Sequence, residues 1–359
     1  MANTKMLRPN VGIYVAAADA FADWKAPTLT EITSATKVFN ISPAVTDDYT
    51  LNMTASQSDN SLAIVDNADV QTPTYNNYEA SLDGFRDANI SATSVYNKFR
   101  DLFATADVKY YLIKRVGKTH DAAFAEGDEV SIYGVKTDFP VDIIGDGEMI
   151  RMGARFLTTG EVKVNIAVAA GTAGAGPELR ATIGTKSTSN GKIRVDWLDV
   201  SSVSNEAAFL AAPDASVIEA SGINLTPAIA WDSYDLGAKD SNKVDDRGII
   251  DEGQVQTRGF AQFSGSLMFF RDADPLAVSD YNDVYAAFKA ATDGSRPEGY
   301  LITRINVPAT TAHAAGQKVS VYRFIADSFA DNTNGEDSVK YMVNFMPQGK
   351  LAVNATSVA

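Results

Sequence analysis

Cysteine is absent from this chain of 359 residues, and histidine occurs only twice. The first absence removes disulfides as a source of stability, and with them the thiolates that a structural zinc site ordinarily uses. With histidine confined to His120 and His313, most nucleophile–base pairs are unavailable. Both lie in the polar connection between the same two strands of a repeated unit and read as solvated loop residues. Long apolar runs are also missing: no segment approaches the roughly 20 residues of a membrane-spanning helix. Val11–Ala18, behind Lys5 and Arg8, superficially resembles a secretory leader. It is short, contains Gly12 and meets Asp19, so it reads as a first strand, and the protein is expected to be soluble and intracellular when made.

Basic charge is the scarcer sign. Lys and Arg number 31 against 45 Asp and Glu, for a net charge of −14 divided evenly between the two halves. Nucleic-acid binders gain affinity by releasing counterions from phosphates with clustered cations. This balance therefore excludes sequence-specific DNA binding, while leaving non-specific passage of DNA open.

Motifs for catalysis or cofactor binding fail on context. The glycines from Gly171 to Gly176 run into Pro177 and Glu178 where a phosphate-binding loop requires Gly-Lys-Ser/Thr, and Gly191-Lys192 is followed by Ile193. The acids Asp142, Asp146 and Glu148, or Asp331, Glu336 and Asp337, could supply oxygen ligands to calcium, but neither set has the spacing of an EF-hand. They read as solvated negative loops. Nothing selects a carboxylate pair for glycoside hydrolysis. The reading is of a chain that is not an enzyme, with no catalytic, cofactor or metal residues.

What is present is a repeat. Val70-Gln71-Thr72-Pro73 running to Ser81-Leu82 and Phe85-Arg86-Asp87 returns as Val255-Gln256-Thr257-Arg258 running to Ser266-Leu267 and Phe270-Arg271-Asp272. Upstream, Asn40-Ile41-Ser42-Pro43-Ala44 matches Asn224-Leu225-Thr226-Pro227-Ala228. Downstream, Val95-Tyr96 and Phe99 align with Val284-Tyr285 and Phe288, and Tyr111 to Val116 with Tyr300 to Ile305. The series closes with Gly160 and Asn165 on Gly349 and Asn354. A unit this long is a whole domain rather than a solenoid repeat. The division is 1–168 for the first copy, 169–192 for a Gly/Ala-rich linker, and 193–359 for the second.

Period-two alternation in Val162 to Val168 and in Lys350 to Asn354 marks strands, as do the Tyr, Ile, Leu and Val-rich stretches from Asp107 and from Gly299. One amphipathic helix per copy is expected, over Ala92–Thr105 and Tyr281–Asp293, with Ser91 and Asp280 as N-caps. Thr46–Ser61 and Ala230–Arg247 read as irregular exposed stretches, and so do Asp138–Glu148 and Asp327–Asp337. The fold class is mainly β, or β-rich α+β: two similar antiparallel β-sandwich or barrel domains, each with one flanking α-helix. Charges retained in both copies, Arg86 with Arg271 and Arg115 with Arg304, have two readings. They anchor strand ends within a domain, or they contact a neighbouring domain.

The Val-Gln-Thr-x-x-aromatic strand at Val70 and Val255, the stretch Trp231-Asp232-Ser233-Tyr234-Asp235-Leu236-Gly237, the single helix and the closing strands carry a resemblance. The chain resembles the tail tube, or major tail, proteins of long-tailed bacteriophages of the siphophage type, here with a tandemly duplicated tube domain. The resemblance implies a structural virion protein of the tail: six tube domains per ring, supplied by three chains with pseudo-sixfold symmetry, and rings stacked around a negatively charged channel for DNA. It implies as partners further copies of the chain, a tape-measure protein, and terminator and baseplate proteins, with no membrane binding. Asp47, Asp48, Asp59, Asp240, Asp245 and Asp246 are expected in loops that touch the next ring, and Arg86 and Arg271 between subunits. An alternative is a tandem β-sandwich virion decoration or carbohydrate-binding protein, which requires exposed aromatics in matching loops. Trp24, Trp197 and Trp231 do not match one another.

Overall fold

The computed structural model describes residues 10–60, 71–145, 147–245, 254–289, 296–332 and 339–359. The first half contains β1 (Val11–Ala17), β2 (Val38–Asn40), β3 (Val45–Asn60), β4 (Gln71–Phe85), β5 (Lys109–Val116), β6 (Glu129–Thr137), β7 (Val141–Ile143) and β8 (Arg151–Ala167). The second contains β9 (Ile193–Asp199), β10 (Ile223–Asn224), β11 (Ile229–Lys239), β12 (Lys243–Asp245), β13 (Gln256–Arg258), β14 (Gln262–Phe270), β15 (Glu298–Ile305), β16 (Lys318–Asn332) and β17 (Lys340–Thr356). The helices are α1 (Leu29–Ile32), α2 (Val95–Phe103), α3 (Glu206–Ala211), α4 (Ala215–Ser221) and α5 (Asp280–Lys289).

The main sheet of the first half runs β2-β1-β5-β6-β8-β4-β3 and that of the second β10-β9-β15-β16-β17-β14-β11, every pair antiparallel. The two orders are one topology. Each sheet is curled into a half-barrel, so of the expected sandwich or barrel the barrel-like form is the one realised. The curl has a local cause. Gly160 and Gly349 (φ +79° and +70°), and Asn165 and Asn354 (φ +51° and +53°), lie where the pairing of β6 with β8 and of β16 with β17 shifts register. Such bulges bend a strand and increase its twist.

Both faces of each sheet are covered. In the first half Phe99 and Phe103 of α2 pack with Leu82, Met152 and Phe156 on one face. Tyr14, Ile32, Ile113, Phe124 and Val168 cover the other. The second half repeats the plan with Val284 and Phe288 of α5, and with Phe209 and Ile218 of α3 and α4. An edge-to-face pair recurs as Phe103 on Phe156 at 5.2 Å and Phe288 on Phe345 at 5.4 Å.

That pair corrects the expected alignment of the helices. Ser94, not Ser91, caps α2, accepting from the Asn97 amide at 3.2 Å, while Ser279, not Asp280, accepts from the Asn282 amide at 3.3 Å. Asn97 Nδ2 donates to the carbonyls of Asn89 and Ala92, and Asn282 Nδ2 to those of Asp274 and Ala277. Asn97 thus corresponds to Asn282, and Phe103, rather than Phe99, to Phe288. A helical apolar pattern overlays itself when slid by one turn of about 3.6 residues, which is why sequence matching chose the wrong turn. The extra residues of the second half follow α5, and the end expected at Asp293 lies outside the described residues.

Additional helices arise where the copies match weakly. Thr28 and Glu31 form a capping box around α1, and Asn205 and Asp214 cap α3 and α4. Of the stretches expected to be irregular, Thr46–Ser61 and Ala230–Arg247 are largely strand in their described residues, β3 with β4 forming a long antiparallel ribbon and β11 to β14 its counterpart, whereas Asp138–Glu148 holds only the short β7 and Asp327–Asn332 ends β16. Outside the core-facing residues such as Leu51 and Ala238, these strands are written mainly in Ser, Thr, Asn, Asp and Gln, so they lack the apolar alternation that reveals a strand.

Arg115 and Arg304 are wholly buried and act within their own halves. Arg115 donates to the carbonyls of Thr119 and Ala122, and Arg304 to those of Pro308, Thr311 and Ala312, each holding the following loop. The surroundings have diverged. Arg115 lies 4.2 Å from the ring of Phe124, which packs on Tyr14. The register of β9 on β15 places Asp196 at the position of Tyr14, and His313 occupies that of Phe124. His313 Nε2 is 2.9 Å from Asp196, and Arg194 bridges Asp196 and Glu219, both at 2.9 Å. The expectation of a solvated His313 therefore fails: its side chain is fully buried, because it substitutes a core aromatic. Burial, then the neighbouring Arg194 cation, lowers Arg304 to about 10, with Asp196 and Glu219 opposing.

Two outcomes are expected. Phe103→Ala and Phe288→Ala should each cost about 3–5 kcal/mol, read as a lower urea midpoint, while Leu276→Ala, at a side chain 91% exposed, should stay within about 0.5 kcal/mol. Burial also pushes the phenols of Tyr14 and Tyr78 up to about 12. Because the folded value exceeds the unfolded one, their contribution is complete below pH about 10 and is lost as pH rises through about 12. Alkaline titration followed by circular dichroism should show stability falling across that window, and Tyr78→Phe should flatten part of the fall.

Candidate assembly interface

The ribbon of the second half does not stand free. Its described outer residues lie on the first half beside β8: Thr159 forms a β-bridge with Val255, and Lys243 Nζ donates to the Phe156 carbonyl at 3.1 Å. The Ser241 amide and hydroxyl both donate to the buried carboxylate of Asp138, the amide at 3.1 Å. Arg258 pairs with Asp107 at 2.5 Å and lies 4.6 Å from the ring of Phe139. Asp240 faces Arg155 at 3.4 Å.

Beside this ribbon the contact becomes a shared core. Ile150 is fully buried within the second half's apolar cluster, against which Phe139 and Ile144 also pack. Arg86, 3% exposed, donates to Asp142 and, at 3.0 Å, to Asn354 of the second half. Tyr234 and Tyr322 close the same region; burial first, and for both also the charge of Asp142, pushes their phenols well above the ordinary range.

The segment 169–189 is laid along the first half. The Glu178 amide donates to the Val38 carbonyl, the Asn40 amide to the Glu178 carbonyl, and the Val95 amide to that of Thr182. The Ile150 amide donates to Ser187.

The junction joins two halves of one topology through different faces. A family model described as phage tail tube protein matches residues 1–171 and again residues 181–359. The chain belongs to the phage tail tube protein family. It is a structural phage tail tube protein, and the family is not an enzyme class. The double match bears out the duplicated tube domain and the resemblance carried by the Val70 and Val255 strands. Similar solved structures include the tail of an empty GTA particle, computed with helical refinement and C6 symmetry. It shares 12% sequence identity and covers 45% of this chain and 96% of that chain, with a TM-score of 0.25. No curated protein matches.

Within this tail tube protein the residues singled out from sequence are scattered. Arg86 and Asp240 lie at the junction. Arg271 lies over the ring of Tyr285 at 3.8 Å. Asp47 and Asp48 are exposed, the latter 3.7 Å from Arg151. Asp245 is exposed and accepts from Gln254 at 2.9 Å and Gln256 at 3.3 Å. Asp59 is in β3, and Asp246 lies outside the described residues. Of the tryptophans, Trp197 is core, while Trp24 and Trp231 are half-buried against Tyr111 and Tyr234. Among the described residues no helix is long and apolar enough to cross a membrane.

Sequence reasoning missed Asp138, Ser241, Asp107 and Arg258. A signal existed for Arg258: it replaces Pro73 at a mismatch inside the best-matching segment.

Removing Arg86 as Arg86→Ala should cost about 3–5 kcal/mol in chemical unfolding, since Asp142 is left buried without its cation. Lys37→Ala, which breaks the exposed pair with Asp19, should leave the unfolding midpoint near the parent's.

Proposed function

We propose that three copies of this chain supply the six domains of a tail tube ring with pseudo-sixfold symmetry, and that rings stack around a channel through which DNA passes. Family membership supports the tube itself. The observation that carries the ring is the head-to-tail junction, in which one face of the first half meets a different face of the second. Such a heterologous contact leaves one unused copy of each face on the chain, and repetition closes a ring when the rotation permits.

Curled sheets that end in the edge strands β3 and β11 fit the same role, since neighbours that extend a sheet remove unpaired backbone groups from water. The net charge of −14 suits a channel wall that repels the phosphate backbone and lets DNA slide. Asp47, Asp48, Asp59, Asp245 and Asp246 are assigned to contacts with the next ring. A tape-measure protein inside the tube, and terminator and baseplate proteins at its ends, are the further partners.

Electron microscopy of the purified protein or of virions should show tubes whose end-on averages have six lobes, with mass measurement giving three chains per ring. Six chains per ring, or a protein that stays monomeric at high concentration and is missing from virions, overturns the reading.

A further inference from the structure

Residues buried at the junction in one half have exposed counterparts in the other. Ile150 and Val339 correspond, because the Arg86 amide donates to the Ile150 carbonyl and the Arg271 amide to that of Val339, both at 3.0 Å. Ile150 is 0% exposed and Val339 is 49% exposed. Leu157 and Met346 correspond through the pairing of β6 with β8 and of β16 with β17, at Lys136 and Ile325. Leu157, flanked by Phe156 and Thr159 where the ribbon grips, is 1% exposed, and Met346 is 43% exposed. On the opposite face Asn354, which accepts from Arg86, is buried, whereas its counterpart Asn165 is exposed beside Val164. Chance exposure does not select the counterparts of junction residues on both faces.

We infer that the face around Val339, Met346 and Asp327 receives the β3–β4 ribbon and the Asn165 edge of a second copy of this chain, repeating between molecules the junction made within one. The inference rests on the tube reading and deepens it by naming the surfaces that join subunits. The internal junction is the template. Asp327 stands at the position of Asp138, the acceptor for Ser241, and Ser56 is the counterpart of Ser241 by register, between the matched pairs Thr54/Lys239 and Ser58/Lys243. Arg271 stands at the position of Arg86, so its partner across the joint is Asn165 of the next chain, reached by leaving the Tyr285 ring. The exposed aliphatic groups of Val339 and Met346 supply the apolar surface there, as Ile150 does within the chain.

The absence of native cysteine makes a cross-linking test clean. In assembled protein, the double variant Ser56→Cys/Asp327→Cys should give disulfide-linked dimers and trimers on non-reducing gels, and neither single variant should. In parallel, Met346→Asp and Val339→Asp, both at exposed positions, should keep the parent's thermal unfolding midpoint as monomers and lose tube formation. Tubes of the double-cysteine variant that do not cross-link, or Met346→Asp and Val339→Asp variants that assemble like the parent, overturn the inference while leaving the tube reading intact. A wild-type chain that makes no tube and is missing from virions overturns both.

Discussion

A guanidinium removed from water must find its partners inside the protein, and Arg86 finds them on both sides of a domain boundary. Asp142 comes from its own half and Asn354 from the other. Losing a partner is costly wherever the charge stays out of water, so one half-barrel cannot slip against the other without offering Arg86 a replacement for Asn354. Asp138 imposes the same condition with the opposite sign, its carboxylate being buried against Ser241. Around these two groups the apolar contacts of Ile150, Phe139 and Ile144 are placed, and so is the path of the second ribbon. The relative position of the halves therefore depends on polar groups with directional demands, and the apolar surface follows.

Duplication has preserved geometry more faithfully than chemistry. Both copies retain the bulges at Gly160 and Gly349 and at Asn165 and Asn354, the edge-to-face aromatic pair, and a buried arginine that organises a loop. Beneath that common frame the neighbours of the arginine have changed: Tyr14 and Phe124 give way to Asp196 and His313, and Asp128, 3.6 Å from Arg115, gives way to Gln317, which accepts from Arg304 at 3.0 Å. A buried cation is met by ring faces and a carboxylate in the first copy, and by carbonyl and amide oxygens in the second.

Much of the fold was legible in the sequence because its causes are local. The repeat fixed two copies of one topology, and alternation located the closing strands in which the matched Gly160 and Gly349 lie. The family was carried by the same matched strands. What could not be read depended on non-local geometry. Helix register failed because α2 and α5 place apolar residues on faces that superpose when slid by one turn. The ribbons looked irregular because their strands are written mainly in polar residues, and His313 looked solvated because Asp196, its partner, is remote in sequence. At the junction, Arg86 and Asp240 were marked for contact, whereas Asp138 and Ser241 carry no pattern of their own and acquire meaning only when two halves are brought together.

The covalent connection along residues 169–189 has a kinetic consequence for anything larger built from this chain. One junction in each repeating pair forms at the effective concentration set by a short tether, independent of how much protein the cell has made. Only the alternate junction waits on diffusion. Dilution then selects against the second kind alone, so partial products should consist of whole chains with their internal joint already made, and growth should respond to protein concentration through one class of encounter.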